Sequence, residues 1–82
     1  MTGSQFFNAA LNRIMRRYDI TQYTMCDELS VGQNTITNWR KNTDSVRLYY
    51  LREIDRKYGL TDAEIIGMVR GGNKNEAVQK RR

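Results

Sequence analysis

Residues 21–42 carry two short helical patterns separated by a tight turn. The first pattern covers residues 22–29, and the second begins at residue 32 or 33 and ends at residue 41. Apolar residues recur at helical spacing, which places them on one face of each helix. They are Met25, Cys26, Leu29, Ile36 and Trp39. The sequence therefore predicts two short helices joined by a tight turn.

The second helical pattern has a polar side that cannot lie in a core, because it is opposite Ile36 and Trp39. Its front carries uncharged amides and a hydroxyl, and its end is basic. Such a side is either an ordinary hydrated surface or a surface whose amides meet base edges of DNA and whose end meets phosphate. The predicted base contacts are Gln33, Asn34, Thr37 and Asn38. The predicted phosphate contacts are Gln22, Arg40, Lys41 and Asn42.

This segment resembles the helix-turn-helix of the lambda-repressor-like DNA-binding family, of the Cro and xenobiotic-response-element type. The family pattern runs approximately TQEELAxxLGVSxSTISRWE, and the chain follows it without a gap. The matching residues are Thr21, Gln22, Met25, Cys26, Leu29, Val31, Gln33, Thr35, Ile36 and Trp39. Cys26 departs from the usual small alanine but packs as a small hydrophobe. Ser30 replaces the usual turn glycine, and it costs about 1 kcal/mol if the turn needs a positive φ.

The resemblance also implies a mechanism. In this docking geometry the second helix of the motif enters the major groove, with its first residues deepest. The family's amide at the front of the first motif helix often touches phosphate and braces the amide at the front of the second, which implies a Gln22–Gln33 pair here. The expected function is a regulator of the phage and bacterial type in the host cytoplasm, acting on double-stranded DNA at an operator without a cofactor.

The flanking sequence predicts three further helices and hence an all-α, five-helix lambda-repressor-like domain over residues 1–69. The first helix is expected to begin at Ser4 as N-cap. Its apolar stripe is Phe7, Ala10, Leu11, Ile14, Met15 and Tyr18. The fourth is expected over residues 46–58, with Asp44 or Ser45 as N-cap. Its predicted buried residues are Leu48, Leu51, Ile54 and Tyr58. Thr61 and Glu64 have the spacing of a capping box for the fifth.

Two surfaces outside the motif have open alternatives. The opposite face of the first helix carries Asn12, Arg13, Arg16 and Arg17. Its arginines are either hydrated or contact phosphate, and Arg17 is the predicted phosphate contact among them. The last helix carries apolar residues that either close the core or form a homodimer interface. They are Ile65, Ile66, Met68 and Val69. A dimer is expected on DNA because a single short recognition helix buries little surface.

The formal net charge of +5 favours a polyanionic partner. Most of the excess lies in residues 70–82, where basic residues outnumber acidic ones five to one. After Gly71 and Gly72 this segment has few apolar residues, so we predict a flexible basic tail. The tail either keeps the protein soluble, attracts phosphate without sequence preference, or folds on a partner.

The sequence has one cysteine and no histidine, so few side chains are available for catalysis or metal binding. Neither an intrachain disulfide nor a histidine-based zinc site can form, and we expect no enzyme activity, no catalytic residue and no metal site. The apolar runs are too short to span a bilayer, and no signal-peptide core follows Met1. No membrane partner is therefore expected.

Other classes of function stay open. One is a protein-interaction module, either anti-repressor or antitoxin-like, that binds another regulatory protein. Such a module would more often place an apolar patch at residues 33–37. Another is an RNA-binding or architectural protein that acts through residues 70–82 and loses its binding when they are removed. A transcriptional activator of the same fold cannot be separated from a repressor by the sequence.

Overall fold

The structure is a computed structural model, and it describes residues 2–71. Within this part of the chain there are five α-helices and no β-strand, so the predicted all-α fold is confirmed. The helices are α1 (Gly3–Tyr18), α2 (Gln22–Leu29), α3 (Gln33–Lys41), α4 (Leu48–Tyr58) and α5 (Asp62–Arg70), with a short 3-10 turn at Thr43–Ser45. Most of the predicted tail, residues 72–82, lies outside the described residues.

The prediction that Ser4 caps α1 is wrong, because Thr2 and Gln5 form a reciprocal capping box in front of it. The Thr2 hydroxyl accepts a hydrogen bond from the Gln5 amide at 3.1 Å, and the Gln5 side chain accepts one from the Thr2 amide at 2.7 Å. This box satisfies two N–H groups at once, whereas a lone serine satisfies one. The predicted cap of α2 by Thr21 and the capping box of α5 are confirmed.

Helix α4 begins at Leu48 rather than at the predicted Val46, and neither Asp44 nor Ser45 caps it. The Asn42 side chain instead accepts a hydrogen bond from the Asp44 amide at 3.1 Å and starts the 3-10 turn. The backbone at Val46 is extended, and its side chain enters the core from the segment before the helix. The predicted burial of Leu48 is also wrong, since this side chain is 60% exposed in the first turn of α4.

The buried apolar side chains form a cluster to which all five helices contribute. They are Phe7, Ala10, Leu11, Ile14, Met25, Cys26, Leu29, Ile36, Trp39, Val46, Ile54, Tyr58 and Met68. The Trp39 ring packs edge-on against Phe7, with 6.4 Å between ring centroids, and against Tyr50 at 5.1 Å. A single side chain thus fixes α3 against both α1 and α4.

The turn between α2 and α3 bends at Ser30, whose φ of 58° lies in the left-handed region. The amides of Ser30 and Val31 bond back to the carbonyls of Asp27 and Cys26, at 3.2 and 3.0 Å. The condition on φ is therefore met, and serine costs about 1 kcal/mol here relative to glycine. The same turn brings the first residue of α3 next to the first residue of α2.

Helices α1 and α5 approach closely because glycine occupies two contact positions. A Cβ atom at Gly67 would collide with the ring of Phe6, and one at Gly3 would lie 2.8 Å from the Met68 carbonyl oxygen. Glycine is unfavourable inside a helix, but here it leaves the space that Phe6 fills.

We expect Gly67→Ala to lower the free energy of unfolding by about 1 kcal/mol. Forcing a methyl group against the Phe6 ring typically costs about 1–3 kcal/mol. The better helix propensity of alanine offsets at most about 1 kcal/mol of this cost. Urea unfolding followed by circular dichroism measures the difference. Ala63→Gly, at an exposed position of α5, is the control and should lose about 1 kcal/mol through helix propensity alone. A Gly67→Ala protein more stable than wild type would show that Phe6 moves aside without cost.

Arg13 of α1 holds the junction between α4 and α5. Its Nε and Nη2 atoms donate to the two Glu64 carboxylate oxygens at 2.7 and 2.8 Å, and Nη2 also donates to the Gly59 carbonyl at 2.9 Å. Two parallel hydrogen bonds make this pair stronger than an ordinary surface ion pair. Hydrogen bonding from Arg13 holds the pKa of Glu64 below its usual range. Arg13 therefore acts in the fold, unlike a freely hydrated side chain.

We expect the unfolding free energy to fall in acid as the Arg13–Glu64 pair is lost. Because the pKa of Glu64 is lower in the folded state, the stability from this pair is complete above the ordinary glutamate range and disappears as pH falls through the lowered pKa. Glu64→Gln should lose about 1 kcal/mol at neutral pH and show a weaker acid dependence. Glutamine still accepts from the Thr61 amide, so the helix cap is kept.

Glu53→Gln is the matched control for this pH experiment, since it removes an exposed pair with Arg56 inside one helix. Denaturant unfolding at a series of pH values should show a smaller change for Glu53→Gln than for Glu64→Gln. Identical pH dependence in wild type and Glu64→Gln would mean that the Arg13–Glu64 pair does not form in solution.

Candidate functional site

A continuous polar stripe runs along the exposed face of α3. It consists of Asn34, Thr37, Asn38 and Lys41, and we call it the α3 stripe. All four side chains are exposed, while the opposite face of the helix is anchored by Ile36 and Trp39 in the core. Positions three and four residues apart are neighbours on a helix surface. Three of the four predicted base-contacting residues thus share one accessible surface.

Gln33, the fourth predicted base contact, lies beside the α3 stripe and is half-buried. The Gln22 amide nitrogen donates to the Gln33 carbonyl oxygen at 3.0 Å, which is the pair that the family resemblance implies. The Gln33 amide nitrogen is enclosed and has no hydrogen-bond partner among residues 2–71. An enclosed donor without a partner is unusual in a folded protein.

Arg40 links this glutamine pair to α1. Its Nη1 atom donates to the Gln22 side-chain oxygen at 3.2 Å, and its Nη2 atom donates to the Asn12 side-chain oxygen at 2.9 Å. We call Asn12, Arg40, Gln22 and Gln33 the amide relay. Arg40 is also a predicted phosphate contact, and this stays a prediction. The residue is half-buried, and both terminal nitrogens of its guanidinium group are hydrogen-bonded within the protein. Asn12 was not among the predicted site residues, because no local pattern connects positions 28 residues apart.

Asn8 of α1 holds the last turn of α3 in place. Its amide nitrogen donates to the carbonyl oxygens of Ser4 and Arg40, both at 2.9 Å. The Ser4 hydroxyl accepts a hydrogen bond from the Thr43 amide at 3.1 Å. The bond to Arg40 satisfies one of the carbonyl groups that the end of α3 would leave unpaired. Asparagine is a poor residue for a helix interior, and this is the sequence signal that could have revealed the role of Asn8.

The remaining predicted phosphate contacts are exposed and are held in different ways. Lys41 ends the α3 stripe, where a positive charge is also favourable for the helix dipole. Asn42 uses its side-chain oxygen in the 3-10 turn. Arg17 lies on α1, with its guanidinium carbon 5.8 Å from the centroid of the Tyr18 ring.

The predicted dimer residues of α5 fall into two groups. Met68 is buried in the core of the single chain. Ile65, Ile66 and Val69 are 38%, 50% and 74% exposed. An apolar groove of about 150 Å³ lies between α4 and α5. Its lining residues are Leu48, Leu51, Arg52, Asp55, Leu60, Ile65, Met68 and Val69.

The described residues contain none of three other features: a metal cluster, a reactive thiol and a membrane-spanning helix. In residues 2–71 no group of three or more acidic or cysteine side chains lies together as a metal site. Cys26 is buried, and burial raises the pKa of its thiol, which makes it a poor nucleophile. None of the described helices has the length and apolar character to cross a membrane.

Comparison with known proteins gives no match: not with a protein-family model, a curated protein or a solved structure. The case for a function therefore rests on the α3 stripe and the amide relay.

Proposed function

We propose that this protein is a sequence-specific transcription regulator that places α3 in the major groove of double-stranded DNA. The observation that carries the proposal is the α3 stripe. Its three uncharged side chains offer both donors and acceptors, and a lysine follows them at the end of the helix. The major groove, about 12 Å wide, admits a helix and shows a distinct pattern of donors and acceptors for each base pair. The stripe has the chemistry needed to distinguish those patterns.

Each residue has a role in this arrangement. Asn34 and Asn38 pair with base edges, and Thr37 touches a thymine methyl or a neighbouring base. Lys41 neutralises phosphate beyond the end of the stripe. The remaining phosphate contacts are Gln22, Asn42 and Arg17. The similarity of the motif to the lambda-repressor-like family supports the same geometry, and either repression or activation can follow from it.

The distribution of apolar surface supports DNA rather than protein as the ligand of α3. A protein-interaction module would be expected to present apolar side chains on its binding helix. The α3 stripe has none, and the exposed apolar side chains of the described residues are found mainly on α4 and α5.

We assign that apolar surface to a second copy of the chain. Arg52 and Asp55 lie beside the apolar groove on α4, so a two-fold axis can pair the arginine of one copy with the aspartate of the other. The dimer would then present two α3 stripes to two half-sites of one operator.

Sedimentation equilibrium with and without duplex tests the dimer. We expect two copies of wild type per selected duplex and a monomer for Val69→Glu, whose fold should be unaffected because Val69 is 74% exposed. A single copy of wild type on each duplex would contradict the dimer and leave DNA binding itself intact.

Selection from a randomised duplex pool near physiological salt tests the proposed function. Wild type should enrich one sequence motif, and Gln33→Ala should relax a position within it. Asp62→Ala, an exposed truncation on α5, is the control and should enrich the wild-type motif. If wild type enriches no motif, α3 does not read bases and the proposed function fails.

A further inference from the structure

The hydrogen bonds of α1 identify the side of this helix that faces α3. Ser4, Asn8 and Asn12 are spaced four residues apart, so they follow one another along the helix surface. The Ser4 hydroxyl accepts from the Thr43 amide, just after α3. Asn8 donates to the Arg40 carbonyl, and Asn12 accepts from the Arg40 guanidinium group. We call this series the α3-facing row of α1.

Arg16 continues the α3-facing row, since it lies four residues after Asn12. It is exposed and belongs to the last turn of α1. The Arg40 side chain that binds Asn12 also donates to Gln22, the first residue of α2. Arg16 is one helical turn closer than Asn12 to the segment that leads into α2. The row therefore ends in a positive charge beside the start of α2, where Gln22 is a predicted phosphate contact.

The other two arginines of α1 lie on a different side of the helix. Arg13 binds the carboxylate of Glu64, so its side of α1 faces α5. Arg17 lies four residues after Arg13 and continues that side. Its guanidinium carbon is 5.8 Å from the centroid of the Tyr18 ring, and the Tyr18 hydroxyl donates to the Tyr58 carbonyl at the end of α4. Arg17 is therefore placed toward α4 and α5.

Given the DNA-binding function proposed above, on which this inference rests, we propose that Arg16 binds a phosphate of the operator backbone and contributes more to binding than Arg17. When α3 lies in the major groove, the helix surface packed beside it lies over an edge of the groove, and each edge is a phosphate backbone. The α3-facing row is such a surface, and Arg16 is its cation. A planar guanidinium group can give two parallel hydrogen bonds to one phosphate.

Arg16→Gln and Arg17→Gln are a matched pair, because each removes one positive charge from the last turn of α1. Binding to the selected duplex is titrated at a series of salt concentrations. Each phosphate that a cation neutralises adds about 0.9 to the slope of log affinity against log salt concentration. Arg16→Gln should lose about 0.9 from this slope for each bound copy, and Arg17→Gln should lose less. Equal losses would overturn the inference, because both arginines would then act through net charge alone.

Uncharged methylphosphonate groups, placed one at a time along the duplex, locate the phosphate itself. Wild type and Arg17→Gln should lose affinity severalfold when the phosphate bound by Arg16 is replaced. Arg16→Gln should lose nothing further there, since its contact is already absent. Arg16→Lys keeps the positive charge and should retain most of the salt dependence. Circular dichroism melting checks the fold of each variant. A purely structural role for Arg16 would change the melting temperature and leave the methylphosphonate pattern as in wild type.

The results separate this inference from the proposed function. If wild type enriches a motif but Arg16→Gln and wild type respond alike to every methylphosphonate, Arg16 binds no phosphate and the inference fails alone. If wild type enriches no motif, the proposed function fails and the inference fails with it.

Discussion

Trp39→Ala should lower the free energy of unfolding by about 3–5 kcal/mol, the usual cost of removing a large buried aromatic side chain. The substitution removes the ring that packs against Phe7 and Tyr50, at 6.4 and 5.1 Å between centroids, and leaves a cavity where α1, α3 and α4 meet. Domains of this size often have only about 5–15 kcal/mol in total. Much of the Trp39→Ala protein should therefore be unfolded at moderate temperature.

Trp39 is the single tryptophan of the chain, so the unfolding of Trp39→Ala has to be followed by circular dichroism rather than by fluorescence. Trp39→Phe keeps an aromatic ring and should lose less stability. Tyr23→Ala removes an aromatic side chain that is 72% exposed, and it should change the unfolding free energy by no more than about 0.5 kcal/mol. A loss below about 1 kcal/mol for Trp39→Ala would contradict the packing described for α3.

Replacing Asn34 and Asn38 together by aspartate should weaken binding to the selected operator about 100-fold or more. Each good amide–base pair contributes about 1–3 kcal/mol of discrimination, and two carboxylates facing DNA add repulsion from the phosphates. The fold should tolerate both changes, since the two side chains are exposed and a carboxylate at Asn34 lies in the first turn of α3, where the helix dipole favours it. Titration of a labelled duplex at fixed salt measures the loss.

The double alanine variant at the same two positions separates lost contacts from added repulsion, and it should bind with intermediate affinity. Asp62→Ala should bind as wild type does. If the double aspartate variant retains wild-type affinity while it remains folded, the α3 stripe does not face the DNA, and the binding surface must be sought elsewhere on the protein.

The bounds of the two motif helices and the caps of α2 and α5 could be predicted because each depends on residues close together in the chain. Thr21 precedes an apolar repeat, and Thr61 is followed three positions later by Glu64. Two predicted helix starts are wrong, the Ser4 cap of α1 and the Val46 start of α4, because nearby residues form a competing local structure at each place. Thr2 with Gln5 is a better cap than Ser4, and the Asn42 side chain begins a 3-10 turn that delays α4 to Leu48.

The candidate site could be predicted on its exposed side from periodicity, and at the Gln22–Gln33 pair from the family resemblance. The α3 stripe follows from helical periodicity, so Asn34, Thr37 and Asn38 could be placed together from the sequence. Asn8 and Asn12 could not be assigned, because their partners on α3 are 32 and 28 residues away and the bonds depend on how α1 crosses α3. The hydrogen bonds of Arg40 to Gln22 and Asn12 could not be assigned from the sequence for the same reason, and its contact with phosphate stays a prediction.

The pairing of the first helix with the last has a consequence for how the chain acquires its structure during synthesis. Arg13 and Glu64 are 51 residues apart, and Gly3 lies against Met68 near the opposite ends of the domain. Contacts between residues this far apart in the chain form late in folding. Closing the long loop between them costs conformational entropy before the contacts can offset that cost. Until α5 has left the ribosome, the side of α1 that carries Phe6 stays in water. A chain that ends before α5 should therefore expose Phe6 to water and be a target for proteolysis.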